Sequence, residues 1–323
     1  MYFGVFAFAF DITVFSQQTR VKSATSTFET HTASEFDSSV VLQYAIRKPA
    51  AYSYAVQCSV SQSLGEMIDF MARTSANTEM QLSTEASASS PYRFHYSYGP
   101  GNVTLNGLSI AGIPDTNFTT SGSLIPEIVE FINANGKVVS RSGADKEKST
   151  APKRSEQLLQ TLSQGARYFL LEFPNTSIAL NAPWTIKKTD TISTNTGEGN
   201  STIILNSAID CKVSKLLFTN GVKTALIDCS SNALGFQGNV QQQGITMSID
   251  GEGAAKGTYV IELHTGLPTE AQLSMEYQLR MAATGQENTI IPVTMTMDTK
   301  YSRTRTLELP ESTKQKKNTT PKK

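Results

Sequence analysis

The chain has 323 residues, 39% of them hydrophobic and 17% charged, with Lys plus Arg and Asp plus Glu balanced at 28 each. This length makes one large or two average domains with a sizeable core, which excludes disorder throughout. Zero net charge removes any global field toward nucleic acid or an anionic membrane surface.

Met1 to Phe15 is apolar apart from Gly4, Asp11 and Thr13. A bilayer-spanning helix needs roughly 20 apolar residues, whereas the apolar segment of an export signal needs fewer. Residues 1–17 are therefore expected to be an export signal and 18–39 a polar leader, with the protein periplasmic or in the cell envelope and without a transmembrane span. The competing reading is a misassigned start or a buried first strand, because no Lys or Arg precedes the run and Asp11 interrupts it.

An N-terminal antiparallel β half is expected over 40–145. Its first strand is Val40 to Ala45, and Tyr52 to Val60 then alternates cleanly, with Cys58 on the apolar side. Leu64 to Ala88 keeps its apolar residues at even positions. That reads as one long bent strand or as two strands broken near Thr74 to Thr78, and Gly65 to Met71 also suits a helical turn or two. Tyr92, Phe94, Tyr96 and Tyr98 form a period-two aromatic stripe. With no basic patch beside it, the stripe reads as core rather than as a stacking platform. Asn133-Ala134-Asn135-Gly136 between two apolar runs marks a hairpin.

Residues 146–174 read as loop and helix. Ser155 is the N-cap of a helix to Leu171, and Leu158, Leu159, Leu162, Ala166 and Phe169 share one face. A C-terminal antiparallel β half follows over 175–305, with strands at about Thr202–Ala208, Lys212–Phe218, Val222–Cys229, Gly244–Glu252, Thr258–Leu263, Ala271–Met281 and Ile291–Tyr301. Ala271–Met281 alternates apolar and polar residues without a break, the strongest strand signature in the chain. Residues 306–323 read as a disordered basic tail. Hairpin turns at Asn220-Gly221 and His264-Thr265-Gly266, together with a lone helix, favour antiparallel pairing, since parallel strands need a helix between them. The expected fold is mostly β: a large antiparallel meander sheet, curved into a half-barrel or barrel-like, packed on one α-helix.

Chemistry is scarce. His31, His95 and His264 form no zinc pair, and no metal or cofactor motif is present. Gly197-Glu198-Gly199 and Gly251-Glu252-Gly253 read as turns, for neither completes a phosphate-binding fingerprint. No Gly-x-Ser-x-Gly occurs, and the spacing of Asp69, Glu85, Asp228, Asp250 and Glu276 does not show whether any two approach each other. The sequons at Asn102, Asn117, Asn175 and Asn200 matter only in a secretory pathway that glycosylates them. No catalytic residue is assigned, and the ligand-binding residues stay unknown.

Cys211 and Cys229 flank the Asn220-Gly221 turn. A strict two-residue turn sets Cys211 opposite Ser230. Pairs summing to 440 instead set Cys211 opposite Cys229 and permit a disulfide, while a four-residue loop pairs the apolar faces equally well without one.

The Tyr-rich strand Ala51 to Val60, the Met-bearing stretch Gly65 to Met71, the approach through Phe173-Pro174 to Trp184, the Gly-Thr-Tyr strand beginning at Gly257 and Pro292-Val293-Thr294-Met295 recur in one order. In this the chain resembles an uncharacterised family of exported bacterial cell-envelope β-proteins over about residues 40–301. Where that family carries Gly-Asp/Glu-Ser-Trp, this chain has Asn181-Ala182-Pro183-Trp184. The resemblance implies an envelope location and supplies no activity. The expected function is non-enzymatic, binding an apolar small molecule or an envelope protein on a curved sheet. A structural or adhesive scaffold with a filled core is the main alternative, and a carbohydrate-active hydrolase with paired carboxylates the lesser one.

Overall fold

The computed structural model describes residues 39–64, 71–85, 87, 89–106, 115–120, 127–142, 168–196, 199–219, 221–242, 245–284 and 289–310. They form β1 (Ser39–Val40), β2 (Ala50–Leu64), β3 (Met71–Thr84), β4 (Tyr92–Asn106), β5 (Thr116–Thr119), β6 (Ile128–Ile132) and β7 (Val138–Ser142), then β8 (Ile178–Ala179), β9 (Pro183–Thr196), β10 (Gly199–Thr219), β11 (Val222–Gln242), β12 (Ile245–Glu262), β13 (Pro268–Thr284) and β14 (Thr289–Glu308). β1 and β8 pair only with each other; the rest build one 12-stranded antiparallel sheet.

The sheet runs β7-β6-β4-β3-β2-β14-β13-β12-β11-β10-β9, with β5 beside β4. Two meanders thus grow away from each other in space, and pairing of the last strand with β2 joins both β halves into one surface. Alternation along each strand decides the faces. In β13 the apolar residues from Ala271 to Met281 are all buried, and the polar residues between them point outward.

Several expectations change. Val40 to Ala45 is a strand only at its first residue. From Val41 the chain is irregular, yet Leu42, Tyr44 and Ile46 are buried. Its amides bond to turns instead of to a neighbouring strand: Tyr44 N–H donates to Ala134 O at 2.7 Å and Ala45 N–H to Thr265 O at 3.1 Å. Met71–Thr84 is one unbroken strand, so no break falls at Thr74 to Thr78. A helical turn over Gly65 to Met71 falls on residues outside those described, Met71 excepted, which opens β3.

There is no helix among the described residues, so the packing of the sheet on a helix is not supported. Residues 155–167 lie outside the description. The described end of that element, Tyr168 to Leu171, is a turn running into irregular chain, with all four side chains buried. Apolar spacing signalled burial correctly here, but burial on more than one side erases the periodicity that separates a helix from a packed irregular segment. The 311–323 part of the basic tail also lies outside the description.

In the second half, pairs of expected strands merge. Thr202–Ala208 and Lys212–Phe218 belong to β10, and Gly244–Glu252 and Thr258–Leu263 belong to β12 apart from their end residues. Gly251-Glu252-Gly253 is therefore not a turn. Both glycines sit in mid-strand because β13 approaches too closely for a side chain: a Cβ on Gly251 would lie 2.2 Å from Gln278 O and 2.8 Å from Leu279 Cα.

The β10–β11 register combines two of the sequence alternatives. Thr219 pairs with Val222 across a two-residue turn, a bulge follows between Val213 and Lys215, and beyond it Val213 faces Ile227 and Cys211 faces Cys229. The sulfurs of Cys211 and Cys229 are bonded. A second irregularity, between Ser207 and Asp210 opposite Leu234 and Ser230, returns the hairpin to the register of its turn. The apolar parity changes with it, from Ala225, Ile227 and Cys229 to Leu234 and Phe236 on β11, so the bulge keeps apolar residues on the inner face.

Two measurements test this framework. Gly251→Ala should lower the unfolding free energy by about 1–3 kcal/mol in urea titrations, because backbone rather than a movable side chain blocks the new methyl. The Cys211→Ser/Cys229→Ser double variant should lose about 3 kcal/mol, the loop-closure value for a crosslink of this span, and adding reductant to it should cause no further loss.

Candidate functional site

The inner face is a layer of large rings. Tyr44, Tyr54, Phe94, Tyr96, Tyr98, Tyr259 and Tyr301 are all at most 3% exposed. Phe169 inserts among them, its ring centroid 4.9 Å from that of Tyr54 and 4.8 Å from that of Tyr301. Phe173 stacks on Tyr44 at 5.1 Å. The aromatic stripe Tyr92, Phe94, Tyr96 and Tyr98 is thus core, in line with the packing reading.

Their hydroxyls have defined work. The Tyr44 hydroxyl donates to Leu171 O at 3.0 Å, Tyr259 to Tyr168 O at 2.8 Å and Tyr54 to Pro268 O at 2.9 Å. Tyr168 and Leu171 lie in irregular chain buried among strands, whose carbonyls lack a ladder partner, and the first two phenols supply one; Pro268 opens β13. The Tyr96 hydroxyl donates to Glu130 Oε2 at 3.0 Å, and the same carboxylate lies 2.8 Å from Arg141 Nε. Burial raises the pKa of Tyr44, Tyr54, Tyr96, Tyr98, Tyr259, Tyr277 and Tyr301, so each stays protonated above the normal phenol range. Cys58, buried on β2, is pushed up to about 11 by the same cause and is the free cysteine.

A charged group closes one side of this layer. Lys188 of β9 lies 3.8 Å from Glu172 and 5.8 Å from the Tyr168 ring centre. Burial lowers its pKa, opposed by Glu172 and Asp190 and more weakly by Glu130, while Arg141 lowers it further. Glu130 and Arg141 stand on β6 and β7, at the opposite end of the sheet's strand order. One peptide joins the two ends: Trp184 Nε1–H of β9 donates to Glu172 O at 3.0 Å, and Phe173 N–H donates to Asn135 O of the β6–β7 turn at 2.7 Å.

The outer face holds an open groove of about 580 Å³ across β9–β13. Its outward side chains come in two registered rows, Asp210-Ser230-Lys256-Ser274 and Lys212-Asp228-Thr258-Gln272. Cys211, Cys229 and Gly257 also line it. The bulges that flank the Cys211–Cys229 register bend the strands at this place. The mixed lining invites polar contact and contains no aromatic ring. Sequence alone singled out Asp228; Asp210, Lys212, Lys256 and Gln272 carried no signal, because exposed polar residues on strands are ordinary.

The other candidate residues are dispersed. Glu85 pairs with Arg93, Asp250 with Arg280, and Glu276 accepts from Gln278. Asp69 and His31 lie outside the described residues. His95 Nε2 is 3.1 Å from Glu127, and His264 Nε2 is 3.8 Å from Glu262, whose main partner is Arg303. Among the described residues, no group of three or more His, Cys, Asp or Glu is placed to hold a metal, and no helix is long and apolar enough to cross a membrane. Of the sequons, Asn102 and Asn117 lie in paired strands β4 and β5, Asn200 in β10, and Asn175 in an exposed bend.

No family model and no curated protein matches the chain. Among solved structures it is similar to the "putative AttH" of Nitrosomonas europaea, at 6% identity over 76% of this chain and 92% of that one, with a TM-score of 0.18. At that superposition the likeness carries no argument.

The buried phenols predict an alkaline limit. Their pKa values are raised in the folded protein, so their stabilising contribution is complete below the unfolded phenol pKa near 10 and declines above it, by about 1.4 kcal/mol per pH unit for each tyrosine. The lowered pKa of Lys188 acts oppositely, gaining stability as pH rises toward the unfolded lysine value, but it is one group against these seven tyrosines and Cys58. Absorbance at 295 nm and far-ultraviolet circular dichroism, followed together above pH 10, should therefore show these seven of the eleven tyrosines ionising together with the loss of the fold. Ionisation of all eleven ahead of unfolding would contradict the burial.

Proposed function

We propose that the protein is a non-enzymatic, exported cell-envelope scaffold: a half-barrel with a filled interior that offers its outer face to a partner. The observation that carries the reading is the bridge at the Glu172–Phe173 peptide. β9 and β6 are nine steps apart in the strand order, and a flat sheet would hold them roughly 40 Å apart at the usual strand spacing. A single peptide reaches both only if the sheet curls. The Tyr44–Ala45 segment acts likewise, bonding the β6–β7 turn and the β12–β13 turn from adjacent residues.

What lies inside the curl favours a scaffold over a carrier of apolar ligands. Phe169, Leu170, Leu171 and Phe173 occupy the space between opposing strands, all buried against sheet residues. A carrier needs that volume for its ligand. Export agrees with two features, the apolar stretch Met1 to Phe15 and the Cys211–Cys229 bond, since structural disulfides persist in oxidising compartments.

Organic-solvent extraction of the purified protein followed by mass spectrometry should release no stoichiometric lipid, and fluorescent fatty acids should not bind. Phe169→Ala should cost about 3–5 kcal/mol of stability, as expected for emptying a filled aromatic site. Recovery of one lipid per chain, or near-neutral behaviour of Phe169→Ala, would replace the scaffold with a carrier.

A further inference from the structure

We infer that the outer groove across β10–β13 binds a neutral, polyhydroxylated ligand, an oligosaccharide lying across the strands. The inference rests on the scaffold reading and adds what the scaffold presents.

The first ground is unused hydrogen-bonding capacity. On the same face, cross-strand partners elsewhere engage each other: Thr189 with Asn206, Asp250 with Arg280, and Gln278 with Thr294. In the groove, Lys212 and Asp228 are directly opposed in register, yet they form no ion pair among the described residues. Lys256 and Gln272 likewise make no side-chain hydrogen bond among those residues. Cross-strand polar pairs stabilise a sheet where they engage; here Asp210 accepts from Thr185 of β9 at 2.6 Å, while Lys212, Asp228, Lys256 and Gln272 remain open around a concavity.

Charge and shape narrow the ligand. Asp210 and Asp228 are balanced by Lys212 and Lys256, so an anionic ligand meets two carboxylates and a cationic one meets two ammonium groups. A neutral molecule that both donates and accepts avoids either penalty. Sugar hydroxyls do this: carboxylates and the Gln272 carbonyl accept from them, and lysine ammonium groups and the Gln272 amide donate to them. Nothing in the outward lining suits an apolar or aromatic ligand, for the groove has no ring and Pro183 is its sole apolar side chain facing out. Four strands at the usual spacing span roughly 14 Å, which accommodates a short chain of sugar rings rather than one ring.

The test is titration of the full chain with a panel of neutral oligosaccharides, including cellotetraose, maltotetraose and chitotetraose, followed by calorimetry and by chemical shifts of groove residues. At least one should bind saturably. Asp228→Ala and Gln272→Ala should each weaken that binding tenfold or more while leaving circular dichroism unchanged, because both side chains lie on the outer face and support no neighbour. Asp250→Ala, on the same face but occupied by Arg280, should bind as the parent does. Absence of saturable binding across the panel, binding insensitive to the groove substitutions, or preferential capture of a charged peptide would each overturn the inference. A negative panel with no lipid in the solvent extract leaves the scaffold reading standing, whereas lipid in the extract removes that reading whatever the sugars do.

Discussion

The whole architecture turns on how a wide sheet disposes of its inner surface. The long strands bury the apolar side chains of one face, and among the described residues the other sheet is the two-stranded β1–β8 pair. The rows must therefore cover one another, and curling is the geometry that allows it. The Glu172–Phe173 peptide is where the solution is tied. It bonds to Trp184 at one end of the strand order and to the β6–β7 turn at the other, while Phe169 and Phe173 on either side of it fill the enclosed space. Hydrophobic burial supplies the drive, and these hydrogen bonds choose the place at which the two ends meet.

Curling demands local irregularity, and the sequence supplies it on the strands that bend. The missing side chains at Gly251 and Gly253 let β13 close in on β12, and the bulges of β10 and β11 bend the adjacent hairpin. Those bulges also carry a cost in register, since each slips the pairing by one residue. The cost is contained because two irregularities compensate, so that only the short segment around Cys211 and Cys229 runs in the shifted register. The disulfide lies inside that segment and fixes its register. The groove on the opposite surface lies over the same distortion, which makes it a consequence of how the sheet bends.

Much of the fold was legible because period-two alternation survives in strands such as Tyr52–Val60 and Ala271–Met281, and because Asn-Gly turns mark their ends. The same rule explains the misreadings. A bulge changes parity in mid-strand, and a change of parity looks like the end of one strand and the start of another, as at Ala208–Lys212. Gly251-Glu252-Gly253 has the composition of a turn, and only the nearness of Gln278 O reveals why glycine is needed there. Tyr168 to Leu171 was misread for a different reason, since a segment buried on several sides has no periodicity to display. The groove was nearly illegible. Its residues share a site through register between four strands, and no spacing along the chain encodes that register.

The choice of tyrosine over phenylalanine on the inner face follows from the irregular chain it encloses. Strand backbone is satisfied by its ladder, but the carbonyls of Tyr168 and Leu171 belong to irregular chain buried in the packed layer. Leaving one such acceptor without a donor costs about 1–3 kcal/mol, comparable to what a buried side chain contributes by apolar burial. A phenol at the far end of a large apolar ring answers both needs from a neighbouring strand. Tyr259 and Tyr44 each do so for one of those carbonyls. Phenylalanine would fill the same volume and leave the acceptor bare, so the hydroxyls are the condition on which the segment can be buried at all. The sheet thus uses these tyrosines to satisfy the irregular chain packed against its inner face.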